Sequence, residues 1–151
     1  MSMLQTALEV ALQVHKGQVD KAGQEYILHP IRVMLQMNTE FLKTIAVLHD
    51  VLEDSSWTEN DLINAGISKE AVEQIKILTR LKHESYSTYL QRIAGSHAAM
   101  RVKLADLKDN MDLNRLDTIT TKDFERNIKY QDASEYLAKQ LLLYALDEIT
   151  L

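Results

Sequence analysis

No cysteine occurs among the 151 residues, which excludes both a disulfide framework and a Cys-based zinc site. That absence fits a reducing compartment. A single proline and only four glycines leave no linker composition, no low-complexity stretch and no repeat, so the reading is one compact domain over residues 1–151. Long apolar runs are also missing: the stretch Leu141 to Leu146 is far too short to cross a bilayer. The opening Met1-Ser2-Met3-Leu4-Gln5 has no basic region followed by an apolar run, so no signal peptide is read. A cytoplasmic protein with no membrane partner is expected. Positive charge is in deficit, with 17 bases against 22 acids and a net charge of -5. This speaks against a nucleic-acid partner, which needs a clustered basic face. A small anionic substrate stays open, because a metal or a few local bases can set the field in a cleft.

The apolar residues that remain recur with helical spacing. Leu4, Leu8, Ala11, Leu12 and His15 share one face of a first helix that stops at Gly17. Pro30 suits the first position of a helix that begins just after His29 and runs through residues 31–37. Residues 41–52, FLKTIAVLHDVL, are apolar nearly all round and predict a buried central helix. Thr58 can cap a short helix ending at Gly66, and Ser68 can cap the next. Further helices are predicted from about Ser87 to Gly95, through Val102 to Met111, and from Thr120 or Thr121 to the end. The predicted fold class is all-α, a single-domain helical bundle. The last helix carries the stripe Leu137, Leu141, Tyr144 and Ala145, read as core, with a homo-oligomer seam as its alternative.

The central helix holds a conflict. Its end reads His49-Asp50-Val51-Leu52-Glu53-Asp54, and carboxylates near a core are costly unless paired or bound to a metal. In a continuous helix His49 lies above Glu53 and Asp50 above Asp54. The plain alternative is that the helix surfaces here and its acids face water. Two other helices offer matching groups: His29 directly before Pro30, and Asp106 on the apolar stripe of Lys103-Leu104-Ala105-Asp106. Two imidazoles and two carboxylates make a mixed nitrogen and oxygen site, which suits Mn, Fe, Co, Ni or Zn better than Ca or Mg. A divalent ion there lowers the pKa of a water and neutralises charge developing on a phosphoryl group. Glu53 and Asp54, one turn on, are candidates to orient that water or carry a proton. Lys21, Arg80 and Lys103 are candidates for phosphate contact, each with a surface base or ion-pair partner as its alternative. Asn110 lies four residues after Asp106, on the same helix face.

These residues, in this order, resemble the HD-domain superfamily, whose signature is H…HD…D. In particular the chain is similar to the hydrolase domain of the RelA/SpoT family and to the stand-alone small alarmone hydrolases. The likeness runs from about His15 to Leu116. It includes His15-Lys16-Gly17-Gln18, Tyr26-Ile27-Leu28-His29-Pro30, Val47-Leu48-His49-Asp50-Val51-Leu52-Glu53-Asp54, Leu78-Thr79-Arg80-Leu81, and Lys103-Leu104-Ala105-Asp106 followed by Asn110-Met111. The resemblance implies removal of the 3′-pyrophosphate from guanosine tetra- and pentaphosphate, with Mn²⁺ as the usual cofactor. It implies His29, His49, Asp50 and Asp106 as metal ligands, Glu53 and Asp54 as the catalytic acid pair, and Asn110 in contact with a small-molecule phosphorylated nucleotide.

The chain departs from the family pattern in three places. Where the family has a guanine-stacking arginine nine residues before the ligand His29, this chain has Asp20, which cannot supply a planar cationic stack. After Asp106 the family has Arg-Leu-His-Asn, and here the run is Leu107-Lys108-Asp109-Asn110. Before Tyr26, Gln24-Glu25 stands where Glu-Pro is usual. A phosphohydrolase acting on a different nucleotide is therefore an alternative. A catalytically silent, metal-stabilised binding or assembly module is a third reading, from another class.

Overall fold

A computed structural model describes residues 1–150, with side chains as far as Glu148. The chain folds as α1 (Met3–Val14), α2 (Leu28–Leu35), α3 (Glu40–Leu48), α4 (Val51–Asp54), α5 (Glu59–Ala65), α6 (Lys69–Leu78), α7 (Tyr86–Ile93), α8 (His97–Asn110), a 3₁₀ turn at Leu113–Arg115, and α9 (Thr121–Thr150). Among the described residues the one β feature is an isolated bridge between Val19 and Glu25. The all-α expectation holds, and among the described residues no helix is long and apolar enough to cross a membrane.

Local chemistry sets most helix starts. Ser2, Thr39, Thr58, Ser68, Ser85 and Ser96 each accept a backbone N–H of the first turn, which satisfies a donor that the helix itself leaves orphaned. Gly66 ends α5 at φ 113°, a left-handed conformation that a Cβ would strain. The second helix begins at Leu28 instead of just after His29. Pro30 therefore sits inside the first turn, where its missing N–H is still harmless.

The apolar α3 is the centre. Leu42, Ile45, Ala46, Val47 and Leu48 are all buried, and α1, α2, α6 and α8 pack on it. In the last helix only Leu137 of the predicted stripe is fully buried. Leu141 packs at the core edge, while Tyr144 is exposed and lies against the His97 ring at 5.1 Å. The stripe therefore leaves the core after Leu141.

One prediction about the centre needs correction. The run 41–52 is not one helix, since it breaks at His49 and Asp50 between α3 and α4. The His49 N–H reaches Ala46 O at 3.4 Å and its ring Nδ1 reaches the same oxygen at 2.6 Å. That carbonyl is the one a continuing helix would offer to residue 50. The break turns both side chains inward.

Candidate metal centre and the adjoining cavity

Three separated stretches deliver four side chains to one point. His29 comes from the first turn of α2, His49 and Asp50 from the break after α3, and Asp106 from the middle of α8. His29 Nε2 lies 2.9 Å from Asp106 Oδ1 and 3.7 Å from Asp50 Oδ2. His49 Nε2 lies 3.1 Å from Asp50 Oδ2 and 3.3 Å from Asp106 Oδ1. Ligand atoms of His29, His49 and Asp50 all fall within 4.8 Å of one another. His29, His49 and Asp106 are buried.

The donor set fits a divalent cation. Ala46 O can only accept, so the His49 proton sits on Nδ1 and its Nε2 carries the lone pair. That Nε2 is buried with no hydrogen-bond partner, and it faces two carboxylate oxygens that also carry only lone pairs. His29 likewise has its Nδ1 held, by Asp109 Oδ2 at 2.7 Å, while its Nε2 stands at hydrogen-bonding distance, 2.9 Å, from Asp106 Oδ1. Four electron-rich atoms thus converge where a positive charge is required.

The protonation equilibria report the same demand. Burial pushes the His49 imidazole down, but Asp50 and Asp106 together outweigh it and hold the ring well above its ordinary value. Burial likewise lowers His29, and Asp106 and Asp109 more than reverse it. Burial raises Asp106, yet Lys103 and the two histidines drive it well below the usual carboxylate range. A proton and a metal compete for this position, so metal binding would release protons.

Around this point lie residues of several kinds. Tyr26 donates its hydroxyl to Asp50 Oδ2 at 2.5 Å. Lys103 is half-buried, with Nζ 2.8 Å from Asp106 Oδ2 and 5.3 Å above the Tyr89 ring. Asn110 Nδ2 donates to Asp106 Oδ1 at 3.0 Å. Glu53 and Asp54 lie on α4 at the rim and are exposed. Burial, then the Asp50 charge, raises both carboxyls above their ordinary values. Arg80 is turned away toward Glu84 O, to which its guanidinium donates at 3.0 and 3.1 Å. His15 is buried beside the Tyr26 ring at 5.0 Å, with Nδ1 on Gln18 Oε1 at 2.8 Å.

Tyr26 and Asn110 also line a cavity of about 350 Å³, together with Asp20, Lys21, Arg115, Arg126 and Tyr130. Burial, and then the Arg126 guanidinium, lower the Lys21 ammonium from its usual value. The wall carries both signs: Lys21, Arg115 and Arg126 stand beside Asp20 and Asp112, with Arg115 held by Asp112 at 3.3 Å and Arg126 by Asp123 at 3.2 Å. Asp20 sits at its wall, but its Oδ1 accepts from Ala22 N and Gln24 N, both at 2.9 Å. Its carboxylate closes its own turn.

Sequence reasoning singled out Lys21 and Asn110 from this wall and missed Arg115, Arg126 and Tyr130. It also missed Asp109 and Arg32, which hold the far side of the His29 ring. The available signal was spacing: Arg32 follows His29 by three residues and Asp109 follows Asp106 by three, so each shares a helix face with a ligand.

No family model matches the chain. Individual relatives do. The chain is 33% identical over 121 residues to a guanosine-3′,5′-bis(diphosphate) 3′-pyrophosphohydrolase of Borreliella burgdorferi, covering 70% of this chain and 18% of that protein. It is 30% identical over 123 residues to the bifunctional (p)ppGpp synthase/hydrolase SpoT of Escherichia coli, covering 72% and 17%. The chain thus spans less than a fifth of the length of these curated relatives. A solved structure described as a metazoan ortholog of SpoT that hydrolyzes ppGpp matches the fold with a TM-score of 0.74. That match has 22% identity and covers 93% of this chain and 86% of that one.

The chain thus shares the all-α fold of that solved structure. Over about 70% of its length the chain is similar to guanosine-3′,5′-bis(diphosphate) 3′-pyrophosphohydrolases, SpoT among them.

Proposed function

We propose that the protein is a metal-dependent phosphohydrolase that releases pyrophosphate from the 3′ position of a guanosine-3′,5′-bis(diphosphate)-like nucleotide. The observation that carries this reading is the convergence of His29, His49, Asp50 and Asp106, both imidazoles having their Nε2 freed by a partner on Nδ1. His29, His49, Asp50 and Asp106 would hold a divalent cation, with Mn²⁺ the member of the fitting series that the family uses. When bound, that cation supplies Lewis acidity and a water of lowered pKa.

The chain's own groups do the rest. Tyr26 and Asn110 fix the carboxylate oxygens of Asp50 and Asp106. Glu53, its carboxyl raised by burial and by Asp50, would take the proton of the attacking water, and Asp54 shares that rim. Lys21, Arg115 and Arg126 are the bases on the wall of the cavity in which the remaining phosphates and the nucleoside would lie. The test is incubation with ppGpp and Mn²⁺, with GDP and pyrophosphate as the expected products. No turnover beside an active relative would remove the proposal.

Asp20 favours a second reading, hydrolysis of a different nucleotide by the same centre. Its carboxylate is built into the loop turn, and no cation stands at that position to stack on guanine. A panel of nucleotides bearing different bases, each with a 3′-pyrophosphate, separates the two by relative kcat/KM.

A further inference from the structure

Asp109 is a buried carboxylate, 7% exposed, that the hydrolytic scheme above does not use. It lies one turn beyond Asp106 on α8, and its Oδ2 takes the His29 Nδ1 proton at 2.7 Å. Two guanidiniums grip it from the other side. Arg32, one turn beyond His29 on α2, donates Nε to Oδ1 at 2.8 Å and Nη2 to Oδ2 at 3.1 Å. Arg115 brings Nη1 to 3.6 Å from Oδ1 and donates Nη2 to the Asp109 backbone carbonyl at 3.1 Å.

The chemistry of this arrangement is specific. A carboxylate forked by Arg32 stays an anion and can only accept, so it fixes the proton of His29 on Nδ1. The lone pair is then forced onto Nε2, which points at Asp106 Oδ1 across 2.9 Å. The same negative charge makes the imidazole a more basic donor. A buried acid that served only to join α2 to α8 would need Arg32 alone. The short bond to a ring whose other nitrogen enters the acidic cluster is what such a strut does not require. His49 receives its tautomer from a neutral carbonyl, so His29 is the member of the pair whose donor strength is set by a charge.

We propose that Asp109, held by Arg32, is the positioning residue that locks the His29 tautomer and sets the affinity of the centre for its divalent cation. This rests on the metal-centre reading above. The experiment is a titration of the purified full chain with Mn²⁺ alone, read by loss of the free-ion paramagnetic resonance signal, for wild type, Asp109→Asn, Asp109→Ala and the double variant Asp109→Ala/Arg32→Met. Asp109→Ala should bind Mn²⁺ about 10- to 100-fold more weakly. Asp109→Asn, whose amide oxygen still accepts from Nδ1, should fall between it and wild type. Nitrogen chemical shifts of His29 should show Nδ1–H in wild type and a mixed tautomer in Asp109→Ala.

Saturating Mn²⁺ should restore kcat in Asp109→Asn with the nucleotide KM unchanged. If Asp109→Ala does not fold, the double variant removes the stranded guanidinium charge and Asp109→Asn carries the comparison. A wild-type protein that binds no Mn²⁺ would overturn the metal reading itself. A wild type that binds, with folded Asp109 variants binding within about twofold of it, would overturn the role of Asp109 and leave the metal reading standing.

Discussion

The Tyr26 hydroxyl and the Asp50 carboxylate meet at 2.5 Å, joining the loop before α2 to the break after α3. Burial, and next the Asp50 charge, hold the phenol far above its ordinary pKa, so Tyr26 is a donor at every pH the fold survives. Tyr26→Phe removes the donor and leaves an Asp50 oxygen without its partner. A hydrogen bond to a charged group contributes about 1.5 kcal/mol or more. The urea unfolding free energy should fall by about that amount without metal, and by less when Mn²⁺ occupies the freed lone pair. Equal losses with and without Mn²⁺ would argue that Asp50 is no ligand.

Glu53→Gln tests the proton transfer. The glutamine keeps the shape and removes the base, so Mn²⁺ affinity should hold while kcat drops about 100-fold or more. The wild-type pH profile should carry an acid limb, because a base must be deprotonated and activity falls as pH drops through its pKa. That limb should lie above the ordinary glutamate range, since burial and Asp50 both raise the group. The limb should vanish in Glu53→Gln. A variant with wild-type kcat would move the base to Asp54.

How far the sequence announced this site varies with the physics involved. Helix starts at Ser68 and Thr58 and the stop at Gly66 were legible because a cap is a local event between near neighbours. The break at His49 was not, because apolar residues continue through 41–52 and the interruption is a ring-to-carbonyl bond that periodicity does not encode. The four converging groups were legible by type and order. Their supports were not: Asp109 and His29 are eighty positions apart, and only the docking of α8 beside α2 shows that they share a proton. Arg115 and Arg126 reach the cavity through the turn and helix after α8, whose packing no local pattern foretells.

Lys103→Met separates two roles for one cation. Lys103 is half-buried, paired with the buried Asp106 at 2.8 Å and set over Tyr89. Breaking a buried pair by removing one partner costs about 3 kcal/mol or more. The variant should therefore be less stable by about that much in chelator, and weaker in Mn²⁺ binding because Asp106 loses an anchor. Its nucleotide KM, measured at saturating Mn²⁺, should change little. A large rise in KM with unchanged Mn²⁺ affinity would instead assign the ammonium to a substrate phosphate.

The acid stability of the fold should depend on a pair outside the four converging groups. Glu84 receives Arg92 Nε at 2.6 Å and Nη2 at 2.8 Å, and these bonds, with the Leu81 N–H, lower its carboxyl to about 2. Arg92 also donates to Ile77 O and Thr79 O, so the pair ties the end of α6 to α7. The folded pKa lies below the unfolded value of about 4.3. The contribution is therefore complete above that value and is lost as pH falls toward 2. Glu84→Gln keeps an acceptor but has no charge to titrate. Urea midpoints measured from pH 5 down to pH 2.5 should fall more steeply for wild type than for Glu84→Gln, the two converging at the acid end. Parallel curves would mean that the Arg92 fork does not hold the carboxylate in solution.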